Sequence, residues 1–100
     1  METRANGDAE DETAPITVRY WAGARAAAGT AEDVLETTGE LSLADVVARV
    51  LERHPGKQMA RTVGVCSVLL GDRPVRTQDP DSVVVRPGDV VELLPPFAGG

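Results

Sequence analysis

The chain has 100 residues, and its 10 Lys+Arg against 16 Asp+Glu leave a formal charge of -6: room for one core, and a sign that repels phosphate backbones and anionic lipid. Partners made of nucleic acid or membrane are therefore not expected, and no apolar run reaches the length of a membrane-spanning helix. A single cysteine, Cys66, excludes an intramolecular disulfide framework and any Cys-only metal or iron–sulfur site, and with it electron transfer of the plant-ferredoxin kind.

Residues 1–14 hold Glu2, Asp8, Glu10, Asp11 and Glu12 against Arg4 and have no large apolar residue after Met1. This composition predicts an acidic disordered extension ahead of a domain at 15–100. It lacks the apolar run of a secretory signal, which predicts a cytoplasmic protein. "PITVRYWAGAR" then alternates Ile16, Val18 and Tyr20 with Thr17, Arg19 and Trp21, the period of a strand. "AGARAAAGT" mixes alanines with glycines and reads as a loop or one helical turn, with a second strand inside "EDVLETTG".

The sharpest local signal is "LSLADVVARVLERHPG". Ser42 can cap a first turn to which Asp45 reaches back, and Leu41 and Val46 occupy the positions of a hydrophobic staple. Leu43, Val46, Val47, Val50 and Leu51 form one apolar stripe, and Pro55 and Gly56 stop the helix. A basic stretch without clear pattern follows. "GVCSVLLGDRPVR" reads as a strand, a tight turn at Gly71-Asp72 and a short return strand. "DSVVVRPGDVVELLPP" is an apolar run, a turn with Pro87 and Gly88 where a type II turn favours them, and a last strand with Val91 and Leu93 inward and Glu92 outward. One amphipathic helix has one stripe to bury. The economical cover is a mixed sheet of four to five strands, an α+β fold of the β-grasp, or ubiquitin-like, kind.

With that order, the ending "RPGDVVELLPPFAGG" resembles the MoaD/ThiS sulfur carriers in its Gly-Asp turn, apolar last strand, Pro-Pro pair and terminal diglycine. The "PPFAGG" form is closer to the MoaD branch, the small subunit of molybdopterin synthase. The resemblance covers roughly residues 15–100, and its specificity sits in the last thirteen. The acidic extension and the size of Phe97 depart from the usual pattern. The resemblance implies a carrier that is not itself an enzyme. An E1-like partner uses ATP and magnesium to adenylate the carboxylate of Gly100, a sulfur donor converts it to a thiocarboxylate, and a MoaE-like subunit or a thiazole or metabolite synthase takes the sulfur. It also implies that Gly99, Ala98, Phe97, Pro96 and Pro95 contact partners, that the chain binds no cofactor or metal itself, and that it is a monomer when free.

The residues give that implication a physical form. A free α-carboxylate is an anion at neutral pH and a weak electrophile, so it needs activation. The four residues from Phe97 to Gly100 span at most about 14 Å, Gly99 and Gly100 suit a narrow tunnel, and Pro95 and Pro96 interrupt the ladder and stiffen the exit. Phe97 either folds back on the body or anchors in a partner pocket. Cys66 reads as a buried small residue rather than a reactive thiol, and His54 as a group serving the helix dipole or lying in solvent rather than a metal ligand. The arginines at 49, 53, 61, 73, 76 and 86 read as solvated surface, and Leu69 and Leu70 as core. Two alternatives stay open: a ubiquitin-like modifier joined to lysines of other proteins, and a non-catalytic β-grasp binding module.

Overall fold

The computed structural model describes residues 14–96. The expected extension, apart from Ala14, and the expected reactive tail from Phe97 to Gly100 lie outside the described residues. β1 (Ile16–Tyr20) buries Ile16, Val18 and Tyr20 and turns Thr17 and Arg19 away, as its alternation requires. Where the sequence predicts a loop or one turn, the structure has α1 (Ala22–Ala28), seven residues long. Its alanines have high helix propensity, Ala24 supplies a buried contact, and Gly29 at φ 77 ends the helix by donating its N–H to the Arg25 carbonyl at 2.9 Å. β2 (Glu32–Leu35) runs back antiparallel to β1, with Ile16 opposite Leu35 and Arg19 opposite Glu32.

A two-residue strand, β3 (Leu41–Ser42), leads directly into α2 (Leu43–Arg53). Ser42 Oγ accepts the Asp45 N–H at 3.0 Å, so the expected cap is present. The Ser42 amide does not donate a reciprocal bond to the Asp45 carboxylate; Ser42 pairs with Val84 in β3. Leu43, Val46 and Val50 are buried, with Val47 and Leu51 packed at the margin of the same stripe. The stretch that looked unpatterned folds as α3 (Lys57–Gly64), which buries Met59 and Val63, one turn apart.

β4 (Ser67–Leu70) and β5 (Arg73–Pro74) form the expected hairpin, and Gly71 takes φ 62 at the first of its two turn positions. β6 (Val84–Val85) pairs with β3 in a small separate sheet that the sequence did not indicate. In the predicted turn Gly88 has φ 91 and Asp89 donates to the Arg86 carbonyl at 2.9 Å, which starts β7 (Val90–Leu94).

The main sheet has five strands in the order β2-β1-β7-β4-β5. Only the central β1–β7 pair is parallel, with Val18 opposite Val91 and Tyr20 opposite Leu93. All the buried strand residues join one cluster with Leu43, Val46, Val50, Met59 and Val63 of the helices. The helices therefore cover one face, and the fold is the expected β-grasp roll with three helices in place of one main helix. Among the described residues no helix is long and apolar enough to cross a membrane.

The core contains no buried polar side chain among the described residues, and the polar work is done at its edge. Asp33 on β2 accepts the Tyr20 hydroxyl at 2.7 Å, meets the His54 imidazole through the same oxygen, and lies 3.5 Å from Arg53. His54 thus neither lies in solvent nor serves only the helix dipole: it ties the end of α2 to two strands. Partial burial pushes the Asp33 carboxyl up, but the bonds from His54 and Tyr20 and the charges of His54 and Arg53 outweigh it and hold the group below the usual carboxylate range. Burial and then the bond to Asp33 push the Tyr20 hydroxyl far above its ordinary value. A carboxyl depressed in the folded state stabilises above its unfolded pKa, and that contribution is lost as pH falls through the folded pKa. Asp33→Asn should therefore cost about 1–3 kcal/mol near neutral pH in urea titrations. The gap to the parent should narrow toward acid; a gap that widened there would contradict this account.

Candidate functional site

β7 runs down the middle of the sheet, so the chain leaves it between two neighbours: the end of β1 on one side and the start of β4 on the other. Strand alternation assigns the sides of this exit. Val91, Leu93 and Pro95 are buried, whereas Glu92 and Leu94 are half-buried and Pro96, the last described residue, is exposed. Pro95 thus seats the end of the strand against the body, and Pro96 lies exposed beyond it. Of the six tail residues singled out from the sequence, Phe97, Ala98, Gly99 and Gly100 lie outside the described residues.

The face opposite the helices is the notable feature around this exit. It presents Thr17, Arg19 and Trp21 from β1 and its end, Glu92 and Leu94 from β7, and Leu69 from β4. Leu70 is core, as expected, but Leu69 pairs with Glu92 and so belongs to the uncovered face. Trp21 is 41% exposed yet tightly held. Its backbone N–H donates to the Leu93 carbonyl at 3.2 Å, its indole Nε1 donates to Glu92 Oε1 at 2.8 Å, and the Arg19 guanidinium carbon lies 5.8 Å from the ring centroid. An exposed tryptophan fixed in this way loses little side-chain freedom on docking. Sequence reasoning gave Trp21 no role, although its outward parity in "PITVRYW" was a usable signal.

The remaining candidates separate cleanly. The Cys66 Sγ donates to the Thr62 carbonyl at 3.2 Å, and burial pushes the thiol up to about 11, so it is protonated at neutral pH and unsuited to nucleophilic work. Arg49 donates to the Glu36 carbonyl at 2.9 Å, Arg86 pairs with Glu40 at 3.2 Å, and Arg53 belongs to the Asp33 cluster. Arg61, Arg73 and Arg76 are exposed without an ion pair among the described residues. No group of three or more His, Cys, Asp or Glu that could hold a metal occurs among the described residues. The candidate site is therefore a strand end beside an uncovered sheet face, with no enclosed pocket at the exit among the described residues.

The model of the ThiS family matches residues 18–100. The molybdopterin synthase sulfur carrier subunit of Chlamydomonas reinhardtii is 31% identical over 85 residues, covering 85% of this chain and 98% of that protein. Among solved structures, SAMP1 of Haloferax volcanii superposes with a TM-score of 0.71 at 19% identity, covering 86% of this chain and 99% of that one. A chain from the complex of subunits 1 and 2 of the molybdopterin-converting factor of Helicobacter pylori gives a TM-score of 0.59 at 23% identity, with coverage of 86% and 99%. At these identities the structural likenesses speak for the fold alone.

Proposed function

The chain belongs to the ThiS family, and on that premise we propose that it is a sulfur carrier, a protein co-substrate and not an enzyme, whose reacting atom is the carboxyl carbon of Gly100. The carboxylate attacks the α-phosphorus of ATP in an E1-like partner that holds the magnesium, and pyrophosphate leaves. A sulfur nucleophile then adds to the carbonyl of the acyl adenylate and AMP leaves, so the terminus gains sulfur in place of one oxygen. A second enzyme receives that sulfur. The carrier contributes no cofactor and no general base; it supplies a thin terminus and a surface that aims it.

The observation that carries this reading is the reach of the family match to Gly100 itself, beside a relative named a sulfur carrier subunit and aligned over 98% of its length. The subunit complex in the Helicobacter structure supports a MoaE-like acceptor as the second partner. The uncovered sheet face gives both partners a surface next to the exit, with Trp21, Leu69 and Leu94 as its apolar contacts. Trp21→Ala should weaken binding to the acceptor by about 2 kcal/mol, roughly 30-fold, with Tm nearly unchanged. Titration calorimetry reads the affinity, and an unaltered Kd would remove Trp21 from the interface.

The test of the function is the intact mass of the chain after co-expression with its activating enzyme. One oxygen exchanged for sulfur at Gly100 is the expected result. An unmodified terminus beside a demonstrably active partner would overturn the reading, and tail-dependent larger species on a denaturing gel would transfer it to lysine conjugation.

A further inference from the structure

On the helical side of the sheet an open groove of about 280 Å³ is walled by Val63, Cys66, Val68, Val75 and Leu93, with the exposed Arg76 at its lip. Three features tie this groove to the end of the chain. Leu93, a wall residue, precedes the exit by two positions, and Pro95 is buried with the parity of Leu93, so the backbone leaves the strand seated on the groove's side. Val75 donates to the Val68 carbonyl at 2.9 Å, the last bond of the β4–β5 ladder, and Arg76 follows in the turn where that ladder ends. Arg76 and Leu93 thus border one and the same groove.

Arg76 also stands out by its backbone. It has φ 59, the left-handed region where a side chain other than glycine costs of order 1 kcal/mol, and no acidic side chain among the described residues pairs with it. An apolar floor with a lone cation at its lip fits a ligand that is apolar at one point and anionic a few residues away. The four residues after Pro96 have that form: Phe97, and then the carboxylate of Gly100. Fully extended they span at most about 14 Å, enough to cross a groove of about 280 Å³.

We propose that in the free protein the segment Phe97–Gly100 seats in this groove, with Phe97 on the apolar floor and the Gly100 carboxylate at Arg76. A parked terminus is kept from other contacts until a partner takes it. The purpose of the arrangement rests on the carrier reading, but its existence does not, and the two are tested separately.

Cys66 in the groove wall is a built-in reporter, since a seated tail shields its thiol. Alkylation by iodoacetamide of the full chain without partners, at about pH 9 because the thiol is protonated at neutral pH, should accelerate about tenfold in Phe97→Ala. A chain ending at Pro96 should behave the same way, Arg76→Glu should fall between, and Tm should fall by only several degrees, the linked effect of losing a contact favoured about tenfold. The methyl NMR signals of Val63, Val68 and Val75 should shift in the same variants. Equal alkylation rates with unmoved methyl signals would overturn the proposal. Protection that rises with protein concentration would also overturn it, by assigning the groove to the tail of a second copy. Thiocarboxylate formation is scored independently by mass, so a failed carrier reading leaves the parking result standing, and the reverse.

Discussion

Replacing Gly99 by valine should reduce thiocarboxylate formation by at least about 10²-fold while leaving the fold untouched. The reason lies in the geometry of approach. The tail must bring a carboxylate oxygen to the α-phosphorus of ATP and later its carbonyl carbon to a sulfur nucleophile, and a displacement of about 1 Å at a reacting centre costs a factor of that order. A branched side chain next to the terminus fills a partner channel that has to close around bare backbone. The buried cluster of the described residues runs from Ile16 to Leu93, upstream of Gly99. The measurement is the fraction of thiolated chain by intact mass after a fixed time with the activating enzyme and ATP, alongside the Tm of the free protein. Full thiolation of Gly99→Val would mean that the terminus is not threaded, and the functional proposal would fall with it.

The second large effect concerns stability, and it sets two neighbouring leucines against each other. Leu93→Ala should cost about 2–5 kcal/mol, because the side chain is 1% exposed at the end of the central parallel pair, opposite Tyr20, and its removal leaves a cavity in the core. Against a total stability of about 5–15 kcal/mol, the variant should melt at least about 10 °C lower. Leu94→Ala, one residue on, removes a half-buried group from the uncovered face and should cost about 1 kcal/mol or less. The positions should exchange rank when binding to the acceptor is measured, with Leu94→Ala the more damaging once Leu93→Ala is assayed below its Tm. Equal losses of stability would show that the two faces are not distinguished as the alternation requires.

Much of this was legible beforehand where a local rule acts alone. The cap at Ser42, the stripe Leu43, Val46, Val50 and the positive φ of Gly71 and Gly88 follow from short-range sterics and hydrogen bonding, and they appear at the predicted residues. The elements misjudged were those whose local signal is faint. α1 has a single fully buried residue, Ala24, and α3 has two, Met59 and Val63, so neither shows a periodic stripe in the chain. Both are helices because neighbouring elements cover a narrow side of each. The β3–β6 pair is two residues per strand and exists only because distant segments meet.

The functional surface divides in the same way. By itself the amino-acid sequence determined the strand parity, the turns, the main helix and the character of the ending, because these depend on neighbours within about one turn or one pleat. Only the tertiary structure decided that the last strand lies at the centre beside β1, that Trp21 is pinned by Glu92 and Arg19 at the exit, and that His54 closes on Asp33 from 21 residues away. Those placements are set by which strands pair and by the side of the sheet on which the helices bury their apolar faces. That is a property of the whole core, and no short stretch of chain carries it.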